Sequence, residues 1–379
     1  MSLPFIYNCH IHTFTAEHIP DNFLPFGLVK AMRHAWLRGP ILWLFGRIVP
    51  LSNKEVIART GRFLARGAFE SQAKVFEYIQ KQYPEETRFI VLPMDMEFMG
   101  AGKPAVLFEG QIKELTELRD ELNKHKKTRG QLIPFCAVDP RRPNVVEEFS
   151  HWVRDFKVRG VKIYPNLGYR PDNPVLKQIY RICAKEGLPV LAHCSAGGVR
   201  ASGLSVADAA RFAHPANYQG LLKEFPGVNF CLGHFGGSEE WEKQLTGEWP
   251  RTGPHATWLT VITEMMRSGK YPNLYADISY TIFTEMPSYR PFNYFDFLKI
   301  LLTDQNIRGH VLFGTDYYMV EREKVSEKEV SIALRAHLGD EHYFQIAYYN
   351  PTRYLGEKPA DKGNGRAGRK SSLKKPKRK

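Results

Sequence analysis

The stretch GVKIYPNLGYRPDNPVLKQIYRICAKEGLPVLAHCSAGG, residues 160–198, holds one full repeat of the pattern on which the fold rests. It opens on a short apolar run, Gly160 to Tyr164, continues as an amphipathic segment, Val175 to Glu186, and returns to a second apolar run, Pro189 to His193. Short runs without polar alternation suit strands covered on both faces, and the longer segment suits a helix. The same order extends in both directions. Further strand candidates are Pro4 to Cys9, Phe89 to Pro93, Leu132 to Val138, Val228 to Leu232, Leu274 to Ile278 and His310 to Phe313. Helical patterns fill Ser71 to Tyr83, Glu109 to His125, Val145 to Phe156, Ser205 to Phe225, Pro254 to Ser268, Phe295 to Gln305 and Val325 to Leu338. Eight strands, each followed by a helix, predict an α/β chain closed as a (β/α)₈ TIM barrel. No glycine-rich phosphate loop opens a helix after the first strand, which argues against an open dinucleotide-binding sheet.

Composition agrees with a globular enzyme-sized chain. Of 379 residues, 43% are hydrophobic and 25% charged, which excludes collagen-like and low-complexity classes for most of the length. No apolar run approaches the roughly 20 residues that span a bilayer; the longest, Ile41 to Leu51, is broken by Gly46, Arg47 and Pro50. The first residues lack the basic start and apolar stretch of a secretory signal, and the five cysteines (Cys9, Cys136, Cys183, Cys194, Cys231) form no CxxC pair. The expectation is a reduced, cytoplasmic protein. The net charge of +13 is concentrated at the end: residues 358–379 carry ten basic residues and one acidic residue, Asp361. Without aromatics or apolar periodicity this tail is expected to be disordered, a nucleic-acid contact being its functional reading and a solvated terminus its plain one. The barrel is therefore assigned to 1–357 and the tail to 358–379. Between the first strand and its helix lies an excursion, about 14–70, rich in Leu, Phe, Trp and Arg. It reads as one or two helices forming a lid, a packed cap or the contact of a homodimer.

The chemistry gathers at strand tips. On a strand, His10 and His12 of Cys9-His10-Ile11-His12 project to one side. Two imidazoles so spaced can share a divalent metal. LPVLAHCSAGG places His193 at the end of the fifth strand, FCLGHFGG places His234 at the end of the sixth, and VLFGTDYY places Asp316 at the end of the eighth. In a barrel all of these tips meet at one mouth, where active sites are built.

The set HIH, VKIYPNLGYRP, LAHCSAGG, LGHFGG, FGTDYY and NPTRYLG resembles the amidohydrolase superfamily, most of all the amidohydrolase-related family that contains aminocarboxymuconate-semialdehyde decarboxylase together with lactonases and hydrolases. The resemblance runs from Ile6 to about Gly356. It implies one divalent ion, most often zinc, held by His10, His12, His193 and Asp316, with His234 as acid or base. Asp316 is in addition a candidate proton acceptor. Lys162, which bridges two metals when carbamylated in some branches, is here expected as an anion contact near the mouth or as a strand-end Lys snorkelling into solvent.

These parts predict a metal-dependent hydrolase that uses a metal-activated water to cleave a C–O or C–N bond of a small polar substrate. The alternatives are a non-oxidative decarboxylase, which needs cationic grips such as Arg33, Arg38, Arg47, Arg170 or Arg290, and a ligand-binding barrel without catalysis. A relic barrel has no chemical need of four ligands and a base. Asp95 and Glu97 read as solvated loop carboxylates, and Cys194 as a residue pointing away from His193. Tyr164, Tyr169, Phe235, Tyr317 and Tyr318 suit either a flat substrate or ordinary packing.

Overall fold

Tyr7–Ile11 forms the first strand, β1, with every residue buried. It pairs in parallel with β2, Arg88–Val91, which pairs with β3. The third strand runs as Leu132–Pro134 and continues as Cys136–Ala137. At the break, Phe135 N donates to Val91 O on one side and Cys136 N to Gly160 O on the other, so the chain hands over from one neighbour to the next. Then follow β4 (Val161–Ile163), β5 (Val190–Ser195), β6 (Phe230–Gly236), β7 (Leu274–Asp277) and β8 (Val311–Leu312), all parallel and paired in sequence order. Cys9 N donates to Phe313 O, and an isolated parallel bridge joins Ile11 to Tyr317. The eighth strand thus meets the first, and the expected TIM barrel is the fold. The structure, a computed structural model, describes residues 5–24, 27–34, 36–37, 40, 69–247, 256–281, 293–317, 319 and 325–358. The tail beyond Lys358, most of the 14–70 excursion, and Arg38, Arg47, Arg290 and Tyr318 lie outside the described residues.

Local chemistry sets the helix limits. In the 160–198 unit, Asn173 accepts from Val175 N, Pro174 stands in the first turn, and Gly187 at φ 67 ends the helix Pro174–Glu186. Ser71, Thr257 and Ser326 cap the helices Gln72–Gln80, Trp258–Arg267 and Glu327–Phe344 in the same manner. The single helix expected over Ser205 to Phe225 is instead Val206–Ala213, a 3₁₀ turn Pro215–Tyr218, and Gln219–Glu224. The cause is Pro215, which disfavours helical backbone at His214. Likewise Phe295 to Gln305 divides into Tyr294–Leu301 and Gln305–Arg308. In the excursion, Leu28–Arg33 forms a short helix whose Arg33 is tied to Asp21 and to the Ala16 and Ile19 carbonyls.

A buried carboxylate fastens the closure from outside. Glu327, in the first turn after β8, is fully buried and accepts from Tyr83 Oη at 2.8 Å, Thr315 Oγ1 at 2.5 Å and Asn8 Nδ2 at 3.4 Å. Asn8 Oδ1 in turn accepts from His10 N. Beside β3 the packing is tightest at Gly160, where an added Cβ would lie 2.4–2.6 Å from the Phe135 ring. Gly160→Ala is therefore expected to destabilise by ~1–3 kcal/mol through overpacking, read as a lower urea midpoint at unchanged slope. A variant with the wild-type midpoint would mean that the Phe135 ring has room to move.

Candidate active site

His10 stands inside β1 and His12 one residue beyond its end, and their rings converge, as the two-residue period requires. The hydrogens follow from the partners. His12 Nδ1 lies 2.6 Å from Leu92 O, which can only accept, so this nitrogen carries a proton, and in the neutral ring Nε2 bears the lone pair. His10 Nδ1 donates to Asp277 Oδ2 at 2.9 Å, which leaves its Nε2 bare as well. Asp316 Oδ1 lies 3.1 Å from His12 Nε2 and 3.6 Å from His10 Nε2. With the His12 ring neutral, three lone-pair atoms face one another in a buried place beside the Lys162 ammonium, 3.4 Å from His10 Nε2, an arrangement that a metal ion among them would stabilise. The donor set His10, His12 and Asp316 fits one divalent metal.

Strained backbone presents two of the groups. Asp316 at φ 62 and His234 at φ 66 are non-glycine residues in the left-handed region. Each is fixed by its amide: Asp316 N donates to His10 O at 2.8 Å and His234 N to Asp277 Oδ1 at 3.1 Å. Gly314 lets β8 pass β1 closely, since a Cβ there would lie 2.8 Å from His10 Cβ. At Gly198, φ +106, a Cβ would meet Tyr164 Oη and His193 Nε2 within 3 Å. These close approaches explain the glycines that follow the strand tips.

His193 lies beside the three-donor group rather than within it. Its Nε2 is 2.9 Å from Gly197 O, its Nδ1 is 2.9 Å from His234 Nε2, and Tyr164 stacks on its ring at 4.1 Å. Burial, then the neighbouring His234 and Lys162, lowers His193 far below an ordinary imidazole; burial lowers His234 too, against Asp316 and Asp277. His10 is driven down to about 3 by burial and then by Lys162, so these imidazoles are neutral at pH 7. In Asp316, the close imidazoles of His12, His234 and His10 outweigh burial and hold the carboxyl below its usual range.

Lys162 neither snorkels nor stands at the mouth as an anion contact. It is 1% exposed, with Nζ 3.4 Å from His10 Nε2 and its pKa pushed down to about 8 by burial, against Asp277 and Asp316. A β4 side chain directed into the barrel has no path to solvent. Asp95 and Glu97 are not solvated either: both accept from Arg142, and Asp95 is buried. Arg170 is bound to Asp172 and Arg33 to Asp21, so neither is free to grip a substrate.

Two residues were passed over in the sequence. Asp277 ends β7, fully buried, and Ser279 follows it; against burial, the His10 and His234 imidazoles and the Ser279 hydroxyl beside it keep Asp277 below the ordinary carboxylate range. The signal was present: a polar residue closing an apolar run, as at the other tips. Above the site opens a cavity of about 1550 Å³, lined by His12, Tyr164, His193, His234, Tyr280 and Asp316 and walled by the loops after β5 and β6. Arg200 is the one Lys or Arg among its described lining residues, which also include Glu239, Glu240 and Glu242.

The sequence profile of the family described as Amidohydrolase matches residues 105–356. No curated protein matches the chain in sequence. In fold it is similar to 5-carboxyvanillate decarboxylase of Novosphingobium aromaticivorans, solved with bound manganese, at TM-score 0.55 and 12% identity over 93% of this chain and 97% of that one. It is also similar to a probable 2-pyrone-4,6-dicarboxylic acid hydrolase of Acinetobacter baumannii, at TM-score 0.51 and 11% identity over 93% and 100% of the two chains. Identities this low speak for the barrel alone. The profile, spanning well over half of the sequence and the strand tips from β4 to β8, decides the matter: the chain belongs to the amidohydrolase family.

Proposed function

We propose that the protein is a metal-dependent hydrolase that cleaves a C–O or C–N bond of a small polar substrate. The observation that carries this reading is the convergence of three unprotonated donors, His10 Nε2, His12 Nε2 and Asp316 Oδ1, beside the neutral His234 at the floor of an open cavity. These residues would hold one divalent ion, zinc in our proposal, with His193 as the fourth donor. Such an ion supplies Lewis acidity that lowers the pKa of water toward ~7. His234, neutral and buried at the cavity floor, would take a proton from the attacking water and return it to the leaving group. Asp316, held ionised, is the second acceptor within reach. Tyr164 and Tyr280 add aromatic surface to the cavity lining, and the Glu239 and Glu242 carboxylates favour a substrate that is neutral or carries a donor.

Decarboxylation of a carboxylic acid is the second reading, and Arg200 favours it. This cation lines the cavity without an ion-pair partner among the described residues, where it could hold a carboxylate. A screen of lactones, esters and amides against aromatic carboxylic acids separates the two: turnover confined to the acids would replace hydrolysis by decarboxylation, and Arg200→Met should then raise KM.

Metal analysis of the purified protein is expected to give about one divalent ion per chain, lost in both His12→Ala and Asp316→Asn. Full retention in both variants would remove the metal reading. His234→Ala should keep its metal and lose about 10²–10⁴-fold in turnover, whereas His193→Ala should bind metal more weakly. Equal metal loss in the two would make His234 a ligand instead.

A further inference from the structure

Asp277 and Ser279 touch both halves of the site at once. Asp277 Oδ2 accepts from His10 Nδ1, while Oδ1 accepts from His234 N at 3.1 Å, from Ser279 N at 3.0 Å and from Ser279 Oγ. A serine hydroxyl has one proton, and it is committed to this carboxylate. Ser279 Oγ can therefore only accept from its other neighbours, His10 Nδ1 and His234 Nδ1, both at 3.0 Å. The second group near His234 Nδ1 is the Ser279 carbonyl at 3.2 Å, which also only accepts. So His234 Nδ1 must carry a proton, and neutral His234 turns a lone pair on Nε2 toward His193 Nδ1, 2.9 Å away, whose ring holds its own proton on Nε2 against Gly197 O; these two nitrogens therefore face each other as acceptors and leave room between them only for a shared proton or cation.

We propose that Asp277 and Ser279 are a positioning pair that sets the tautomers of His10 and His234 together. Both rings are held with the proton on Nδ1, so that Nε2 of His10 is offered to the metal and Nε2 of His234 is offered as the proton acceptor. Metal holding and proton transfer then share one hydrogen-bonded support, and the base cannot turn to the useless tautomer while the ligand stays correct. The inference rests on the functional reading above, but its first measurement does not. Carboxylates and carbonyls behind metal-bound imidazoles commonly play the ligand half of this role. The coupling to a second, non-ligand His through a serine is specific to the contacts found here.

Ring ¹⁵N NMR of the full-length protein tests it directly, with signals assigned through His10→Gln and His234→Gln. In the metal-free wild type both His10 and His234 should show the Nδ1–H tautomer; either ring with its proton on Nε2 would overturn the proposal whatever the metal result. Zinc affinity, measured by competition with a chromogenic chelator, should fall about 10–100-fold in Asp277→Asn. Wild-type affinity in a folded Asp277→Asn would overturn the ligand half. Ser279→Ala, a smaller change should Asp277→Asn fail to fold, should keep zinc affinity while the share of the Nε2–H form of His234 rises, because only the backbone carbonyl at position 279, at 3.2 Å, then holds Nδ1–H. An unaltered His234 signal there would remove Ser279 from the pair. If the wild type bound no zinc but showed both tautomers, the hydrolase reading would fail and the positioning pair would stand.

Discussion

One backbone hydrogen bond decides what the other elements can do: Asp316 N donating to His10 O, where the eighth strand closes against the first. Residues more than 300 positions apart become neighbours through it, and the HxH pair receives its carboxylate. Closing such a distance costs chain entropy that only a continuous run of parallel pairing recovers. That run exists, from β1 through β8 with each strand beside its successor. Glu327 then locks the closure from the outside by binding Tyr83, Thr315 and Asn8 together. Active-site geometry here is thus a consequence of barrel closure, not of any one loop.

Function also requires a cost in stability at this point. Buried ionisable groups are expensive unless each is hydrogen-bonded, and removing one partner from such a network leaves the others exposed to the penalty. Positive φ at His234, Phe235 and Asp316 adds strain that the surrounding hydrogen bonds must hold. Strain and burial together keep the polar atoms from relaxing toward one another's nearest protein partner, so lone pairs remain aimed at a common centre. Comparable polar groups elsewhere, such as Asp95 and Glu97, are paired to Arg142 at 2.9 and 2.8 Å.

Much of this was legible in the sequence because it follows from period and order. Eight apolar runs alternating with amphipathic segments gave the barrel, and the period of two put His10 and His12 on one side. His193, His234 and Asp316 stood out because each polar residue closes an apolar run. Asp277 obeyed the same rule but was read as part of the seventh strand, since its neighbour Ile278 prolongs the apolar run by one residue. Lys162 was misjudged for a different reason. A sequence shows that a Lys ends a strand, but whether its stem reaches solvent depends on the inward or outward phase of β4, which only the closed barrel sets. Arg33 and Arg170 were likewise misread on partners: charge type is visible in sequence, whereas Asp21 beside Arg33 and Asp172 beside Arg170 are matters of three-dimensional pairing.

The charge count at the centre gives the strongest reason to place a cation there. Asp277 and Asp316 are both held ionised, and Lys162 offers at most one positive charge, its pKa being pushed down to about 8. The imidazoles of His10, His193 and His234 are all shifted toward neutrality. Asp277, Asp316 and Lys162 alone sum to one negative charge in a buried medium where charge is costly, with His12 Nε2 3.1 Å from Asp316 beside it. Protonating an imidazole would neutralise it, but burial and Lys162 oppose that at His10. A divalent cation meets the same need without protonation, using the lone pairs that His10 and His12 already present. Asp277 has its oxygens engaged by His10 Nδ1, His234 N and Ser279, away from the His12–Asp316 side. The two carboxylates therefore divide the work: Asp316 faces the lone pairs, and Asp277 stands behind the imidazoles and fixes which nitrogens bear them.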